Sequence, residues 1–435
     1  MAFRTFEDAQ ISRRSMLRGS ALLGAGVALS GLPLGRLALA HTAHWPNVLA
    51  TVEDYVTSGK VANMVATMGW GQKDPDIIAR GTLAFGSKAK ADFDSLYRIY
   101  SMTKPITGMA AMMLVEDGKL KLDQPVADFI PGFANMQVQK KYDGSIGPEN
   151  LEPARRPVTV RMLMTHSAGL AYNIVQKGPI VQAMERKGLV PGQVTRLPIP
   201  GVSQAKPTDS LEKFANGIAA LPLVYQPGTK WSYSVGLDVL GRVIEVASGM
   251  PFDAFLKQRI FDPCGMDSTW FRVPASEKAR MTANYFVING VSLPLDMGAS
   301  SIYYDKPGFP FGGAGLVSSA RDYDRFQRML VGRGMIDGKR VMGEAAVLEG
   351  TSNLLLDTVD TKGTWVAGQG FGAGGRVTGG AFGWGGAAGT TAFVDMESRL
   401  RAANFTQYML SDAYPIQREF PEIVRKDLAL LKAAA

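Results

Sequence analysis

The sequence predicts an α+β fold with two parts: an antiparallel sheet built from both ends of the chain and flanked by helices, and an inserted, mainly helical domain. Two observations predict it: strand-like runs separated by turn residues occur near both ends, and the segment between them carries mostly helical periods. With 435 residues, 46% of them hydrophobic, the chain can bury one large core or two joined cores. We expect the sheet domain at 41–104 and 345–435, and the helical domain at 105–344.

Residues 1–40 are expected to be an export signal. The paired Arg13 and Arg14 precede a weakly apolar, Gly- and Ala-rich stretch, and Ala38-Leu39-Ala40 is a small-residue cleavage pattern. This arrangement is typical of the twin-arginine route, with cleavage near Ala40 and a periplasmic or secreted product. An uncleaved anchor is the alternative, but the apolar part is shorter than the roughly 20 residues that a span needs, so we expect no stable membrane insertion.

Strand-like runs at 61–70 and 76–85 are joined by a polar Gly/Asp/Pro segment and predict a hairpin. Near the other end, residues 389–409 repeat the pattern around the turn at 396–398, and residues 421–435 predict a last helix that covers the sheet. The Pro- and Gly-containing stretch 188–206 is either an ordered loop over another part of the protein or a flexible insertion.

Two stretches predict helices of the inserted domain. In one, Leu237, Leu240 and Ile244 share a face, and Gly249 follows as a terminator. The other begins near Ser101 and ends at Gly118, and its apolar face comprises Met102, Ile106, Met109, Ala110 and Met113.

Composition excludes several functions. The net charge of +8 comes from scattered Lys and Arg without a basic run, so nucleic acid is not an expected partner. The single cysteine, Cys264, excludes internal disulfides and is expected to be a buried hydrophobe. We expect no metal and no organic cofactor. The glycines of 370–375 satisfy G-x-G-x-x-G, but strand and turn residues follow them where a dinucleotide site needs a helix.

Histidine is scarce, and that limits the catalytic options. Of three histidines, His41 and His44 lie near the expected mature terminus, so only His166 is available for a Ser-His-Asp triad, and the sequence has no G-x-S-x-G motif. Ser101 and Lys104 offer another arrangement, because a spacing of three places both on one helix face. Helix-terminal amides would stabilise an alkoxide on the serine. The motif alone does not distinguish this from a serine cap followed by a surface lysine.

The wider pattern is more specific. The stretch 97–105, YRIYSMTKP, is followed in order by five further blocks, at 158–170, 225–249, 260–271, 312–326 and 383–395. In order and spacing these blocks resemble the serine β-lactamase and penicillin-binding-protein superfamily, and most closely its β-lactamase-like carboxylesterases, called family VIII. The resemblance covers nearly all of the chain after residue 40. It implies a β-lactamase/transpeptidase-like fold and catalysis through an acyl-enzyme.

Carried over by motif, the resemblance implies that Ser101 is the acylated nucleophile and that Lys104 takes or shuttles its proton. Tyr233 matches the tyrosine of the family's second motif, which serves as general base. A nearby cationic lysine is the physical means of stabilising its tyrosinate form. The oxyanion hole would combine the amides of Ser101 and Ala387, although Gly386 could share that role. The block that contains His166 is structural in the family, so we leave this histidine out of the site.

Two departures from the lactamase pattern favour an esterase. Val235, which is expected to contact substrate, stands where penicillin-active members carry an asparagine that binds the substrate amide. In the strand motif Trp384-Gly385-Gly386, which is expected to line the substrate site, the tryptophan replaces a carboxylate-binding lysine. An apolar wall suits a neutral ester, so we expect a carboxylesterase for short or medium acyl chains. A β-lactamase or D-amino-acid peptidase is the alternative, and an inactive cell-wall or ligand-binding protein is a third. The oligomeric state stays open.

Overall fold

The computed structural model of the protein describes residues 44–199, 203 and 205–434. The predicted export signal and its cleavage site lie outside these ranges. Among the residues within them, none of the helices combines the length and apolarity needed to cross a bilayer.

The strands are β1 (Asn63–Trp70), β2 (Asp76–Gly81), β3 (Leu96–Arg98), β4 (Gln137–Gln139), β5 (Leu151–Pro153), β6 (Asn284–Ile288), β7 (Val291–Asp296), β8 (Val317–Ser319), β9 (Met335–Ile336), β10 (Lys339–Arg340), β11 (Gly370–Phe371), β12 (Arg376–Thr378), β13 (Ala381–Gly385), β14 (Thr391–Asp395), β15 (Leu400–Phe405) and β16 (Tyr408–Met409). The α-helices are α1 (Pro46–Thr57), α2 (Thr103–Glu116), α3 (Val160–Met164), α4 (Pro179–Arg186), α5 (Leu211–Ala219), α6 (Gly236–Ser248), α7 (Phe252–Leu256), α8 (Asp262–Cys264), α9 (Ala320–Val331), α10 (Glu344–Gly350) and α11 (Ile416–Ala434).

The main sheet is built from both ends of the chain, as predicted. Its seven strands follow the order β11-β12-β13-β14-β15-β1-β2, and every neighbouring pair is antiparallel. The two ends meet where β1 pairs with β15, for example at Val65 opposite Phe405. Strand β1 is buried over nearly its whole length because helices cover both faces of the sheet. The predicted fold class is therefore confirmed.

Helices α1 and α11 cover one face of this sheet. Val48 and Val52 of α1 and Phe420 and Val424 of α11 belong to one buried cluster with Met64 of β1. The last helix begins at Ile416, earlier than predicted, and includes Pro421 in its interior. On the opposite face, α9 packs against β14 and β15 and joins the sheet to the large core.

The segment between the two halves of the sheet contains α2–α10 and also the short strands β3–β10. Helix α6 matches its prediction, because Leu237, Leu240 and Ile244 are buried and Gly249, at φ +73°, ends it in the left-handed conformation. The boundaries predicted at 104/105 and 344/345 stay predictions. Cys264 is fully buried, as predicted, and burial raises the pKa of its thiol to about 12.

Helix α2 is more deeply buried than its sequence pattern predicts. Every residue from Thr103 to Leu114 is buried, not only the predicted apolar face, because α2 lies between α6, α10 and the sheet. The glycine-rich stretch 370–375 forms β11 and its turn to β12, and a strand follows it instead of a helix, as predicted. Of the two alternatives for 188–206, the described part agrees with a loop that lies over another part of the protein. Val194 and Ile199 of this loop pack against a buried cluster that includes Tyr100.

Candidate active site

Ser101 lies in a 3-10 turn, Tyr100–Met102, between β3 and α2. The prediction that it belongs to the first turn of the helix is therefore off by two residues, because α2 begins at Thr103. Tyr100, directly before the serine, has φ +40°, a conformation that costs a non-glycine residue on the order of 1–3 kcal/mol. The surrounding structure holds it there, since its ring is buried and its hydroxyl accepts a hydrogen bond of 3.2 Å from Asn284 Nδ2.

Lys104 is fully buried beneath the serine. Its Nζ donates to the Gly313 carbonyl at 2.6 Å and to Ser101 Oγ at 3.2 Å. The β11–β12 turn presses against this part of α2, and only glycine allows that approach: a Cβ on Gly374 would lie 2.2 Å from the Lys104 carbonyl oxygen. The ammonium group is thus held at the serine by its own helix, a hairpin and the 312–315 segment.

Tyr233 comes from the segment just before α6, 132 residues after Ser101. Its hydroxyl lies 2.7 Å from Ser101 Oγ, and Lys104 Nζ lies 4.6 Å from the centroid of its ring. The three residues expected to be catalytic therefore meet around one hydroxyl group. The distances from Ser101 Oγ to the tyrosine hydroxyl, 2.7 Å, and to the lysine nitrogen, 3.2 Å, are within the range for proton transfer between side chains.

Asp238 is a charged neighbour of this trio that the sequence analysis missed. It is fully buried on α6, and its Oδ1 accepts a 2.9 Å hydrogen bond from the amide of Gly313, the residue whose carbonyl binds Lys104. Burial raises the pKa of this carboxyl to about 6, against the opposing effects of Lys104 and the Gly313 amide. The available signal was an acid between Leu237 and Val239, inside the otherwise apolar run 235–240.

The turn after β13 supplies the candidate oxyanion hole. The Gly386 amide donates to the Thr390 carbonyl at 2.8 Å, whereas the amide of Ala387 has no hydrogen-bond partner among the described residues. A Cβ on Gly386 would lie 2.2 Å from the Ile99 carbonyl oxygen, so glycine is needed for this turn to reach the nucleophile segment. Of the two amides left open by the sequence, that of Ala387 is the one available.

Aromatic rings form a wall beside Tyr233. The centroids of Trp384 and Trp365 lie 5.9 Å and 5.0 Å from that of the tyrosine, and Trp365 remains 45% exposed. Trp365 was missed, although a lone tryptophan in a Gly- and Thr-rich stretch was a signal. Val235, expected to contact substrate, is instead a fully buried core residue at the start of α6, so its side chain offers no accessible surface.

His166 is also fully buried, and its ring centroid lies 4.7 Å from that of Tyr233. Burial, together with the charge of Lys104, holds the pKa of this imidazole well below its usual range. The folded protein therefore keeps His166 neutral at physiological pH. Its Nδ1 hydrogen-bonds Ser234, not Ser101.

Lowering the pH is expected to destabilise the protein through His166. Below the usual histidine pKa of about 6.5 the unfolded chain binds a proton that the folded chain does not, and stability falls until the lower folded-state pKa is passed, by up to about 1.4 kcal/mol per pH unit. Asp238 and Asp322, whose pKa values burial raises to about 6, act in the opposite direction below that pH.

Comparing wild type with His166→Asn isolates the histidine from these acids. The unfolding free energy of the wild type is expected to fall relative to that of the variant by roughly 1–2 kcal/mol between about pH 7.5 and about pH 5, measured by urea denaturation. A difference that does not change with pH would contradict a buried neutral histidine.

Comparisons with known proteins place the chain in a family. The family described as Beta-lactamase matches residues 35–420. Protein Rv1367c of Mycobacterium tuberculosis (strain ATCC 25618 / H37Rv) is 37% identical over 256 residues, 58% of each chain. Esterase EstB of Burkholderia gladioli is 32% identical over 244 residues, 53% of this chain and 55% of the esterase. The matched region therefore spans a little over half of these relatives.

A solved structure shares the fold. That of "EstCE1, a hydrolase with promiscuous acyltransferase activity", superposes with a TM-score of 0.71 and 22% identity, covering 89% of this chain and 99% of the other. The resemblance on which the sequence analysis relied is thereby confirmed. The chain belongs to the beta-lactamase family.

Proposed function

We propose that the protein is a serine hydrolase that cleaves short- to medium-chain carboxylic esters through an acyl-enzyme on Ser101. One observation carries the proposal: Ser101 Oγ is within hydrogen-bond reach of both Tyr233 Oη, at 2.7 Å, and Lys104 Nζ, at 3.2 Å. A serine with a base in contact and a cation beside that base meets the requirements for nucleophilic catalysis. The esterase relative EstB supports the same class of reaction.

The geometry supports the following sequence of steps. Tyr233 enters the step as a phenolate beside the Lys104 ammonium. Ser101 Oγ attacks the acyl carbon as its proton passes to the Tyr233 oxygen, which becomes the neutral phenol. The oxyanion accepts hydrogen bonds from the amides of Ser101 and Ala387. Tyr233 then returns the proton to the departing alkoxide. A water molecule releases the acid by the same steps, so serine, tyrosine and lysine return to their starting states.

The surroundings of the trio favour an ester over a lactam. Trp384 and the exposed Trp365 flank the tyrosine with apolar surface, which suits a neutral group next to the departing oxygen. Val235 and Trp384 leave the site without the amide and the lysine that bind penicillins in the resembling lactamases. A hydrophobic site without those polar partners has little means of binding an anionic amide.

Ester and lactam turnover can be compared directly. We expect the wild type to hydrolyse p-nitrophenyl acetate and butyrate far faster than nitrocefin, and Ser101→Ala to lose the ester activity by roughly 10³-fold or more. A mass increase equal to the acyl group, on the peptide that contains Ser101, is expected after rapid quenching. Dominant nitrocefin turnover would favour the β-lactamase alternative, and inactivity on all substrates would favour a binding protein.

A further inference from the structure

We propose that His166 is a positioning residue that holds the Tyr233 hydroxyl at Ser101 by fixing the backbone on both sides of the tyrosine. The inference rests on the proposed function, since it assigns a role within the same reaction. It concerns a histidine that touches neither Ser101 nor Lys104 through a hydrogen bond among the described residues.

One residue accepts hydrogen bonds from both neighbours of the tyrosine. The Ser232 amide donates to the His166 carbonyl at 2.9 Å, and the Ser234 amide donates to His166 Nδ1 at 3.2 Å. The peptide segment that carries Tyr233 is therefore tied at two points to the same residue. A shift of about 1 Å at a reacting group can cost roughly 10²-fold in rate, so this double attachment bears directly on catalysis.

The hydrogen bonds also assign the tautomer of the imidazole. The Ser234 amide can only donate, so Nδ1, which lies 3.2 Å away, accepts from it. The Ser234 hydroxyl also lies close to Nδ1, at 3.0 Å, and accepts a 3.3 Å hydrogen bond from the Gly236 amide. Nδ1 is thus an acceptor, and the ring proton is on Nε2. Only a neutral imidazole can accept from the Ser234 amide in this way.

Packing alone does not account for this choice of residue. An aliphatic or phenyl side chain would fill the space beside the Tyr233, Trp231 and Phe371 rings, which surround His166 at centroid distances of 4.7–5.7 Å, but would leave the buried Ser234 amide without its acceptor. His166 also has φ +57°, which among non-glycine residues favours short polar side chains that bond locally.

Two substitutions of His166 distinguish the effect of losing the hydrogen-bond acceptor Nδ1 from the effect of changing the positive-φ backbone. Asparagine and glycine both tolerate a positive φ, and both remove the ring, but only asparagine offers an acceptor atom near the place of Nδ1. With p-nitrophenyl butyrate, we expect His166→Gly to lower kcat roughly 10²-fold with KM changed less than about threefold, and His166→Asn to recover most of that loss.

A double-mutant cycle tests whether His166 acts through Tyr233. In a Tyr233→Phe background the hydroxyl is absent, so His166→Gly is expected to lower kcat little further. An equal loss in both backgrounds, or equal losses in the asparagine and glycine variants, would overturn the proposal. If the glycine variant does not fold, a folded His166→Asn protein that loses more than about 10²-fold in kcat would overturn it.

The failure of the proposed function is recognised separately. In that case the wild type itself turns over no ester, and Ser101 carries no acyl group. If wild type is active and Ser101→Ala is not, the variants at 166 report on the positioning role alone. Thermal melts of every variant at the assay pH establish that the kinetic comparison uses folded protein.

Discussion

Replacing Tyr233 with phenylalanine is expected to lower kcat/KM for p-nitrophenyl esters by about 10³-fold. The change removes only the hydroxyl that lies 2.7 Å from Ser101 Oγ and keeps the ring beside Trp365 and Trp384. General acid–base catalysis contributes roughly 10²–10⁴-fold, and this one group would serve in both acylation and deacylation. Because the hydroxyl is needed mainly in the transition state, the loss is expected in kcat, with KM nearly unchanged.

Single-turnover measurements would show how much of the loss occurs in acylation and how much in deacylation. The Ser101→Ala variant gives the background rate of hydrolysis without the nucleophile. The aromatic packing is kept, so the melting temperature is expected to stay within a few degrees of wild type. A Tyr233→Phe enzyme with more than about a tenth of the wild-type kcat would exclude the tyrosine as the base. Lys104, the other group in contact with the serine hydroxyl, would then be the candidate.

Replacing Gly386 with alanine is expected to reduce kcat by roughly 10²–10³-fold, the effect of losing one oxyanion donor. The new methyl group would lie 2.2 Å from the Ile99 carbonyl oxygen and 2.4 Å from Thr390 Oγ1. Because the Ile99 contact is backbone, the 386–390 turn must move away from the nucleophile segment. That movement withdraws the Ala387 amide from the developing oxyanion.

Gly338→Ala, in the turn between β9 and β10, is a suitable control for the loss of a glycine. Its added methyl group meets nothing within 4 Å, although its φ of +76° makes the substitution strained, so stability falls without crowding any site. We expect its kcat to equal that of wild type. Equal kcat values for wild type and Gly386→Ala would remove Ala387 from the oxyanion hole, whatever the two melting temperatures.

The local part of the site was predictable because it depends on helix geometry. A spacing of three residues predicts that Ser101 and Lys104 share one side of a helical turn, and they do so even though the serine lies in a 3-10 turn ahead of α2. Tyr233 could be predicted only through the resemblance of its block, because nothing in local sequence links positions 132 residues apart.

Other features depend on which surfaces come together. The apolar pattern of α2 predicted one buried face, but burial on all sides follows from the elements that surround the helix. Val235 was expected to contact substrate, but its side chain at the start of α6 is buried in the core. The sequence could not show that the Gly386 amide donates to the Thr390 carbonyl, because that hydrogen bond depends on how β13 and β14 pair; it leaves the Ala387 amide as the candidate donor.

The sequence by itself determined the fold class, the strands at both ends of the chain, the family and the proximity of Ser101 and Lys104. These follow from periodicity, turn residues and motif spacing, which are local or ordered along the chain. Only the tertiary structure decided that Asp238 binds the Gly313 amide near Lys104, and that Trp365 and His166 adjoin Tyr233. The positions of the buried acid Asp238, the exposed ring of Trp365 and the neutral imidazole of His166 depend on long-range packing. The neighbours that they contact are distant in the sequence, so no local pattern predicts them.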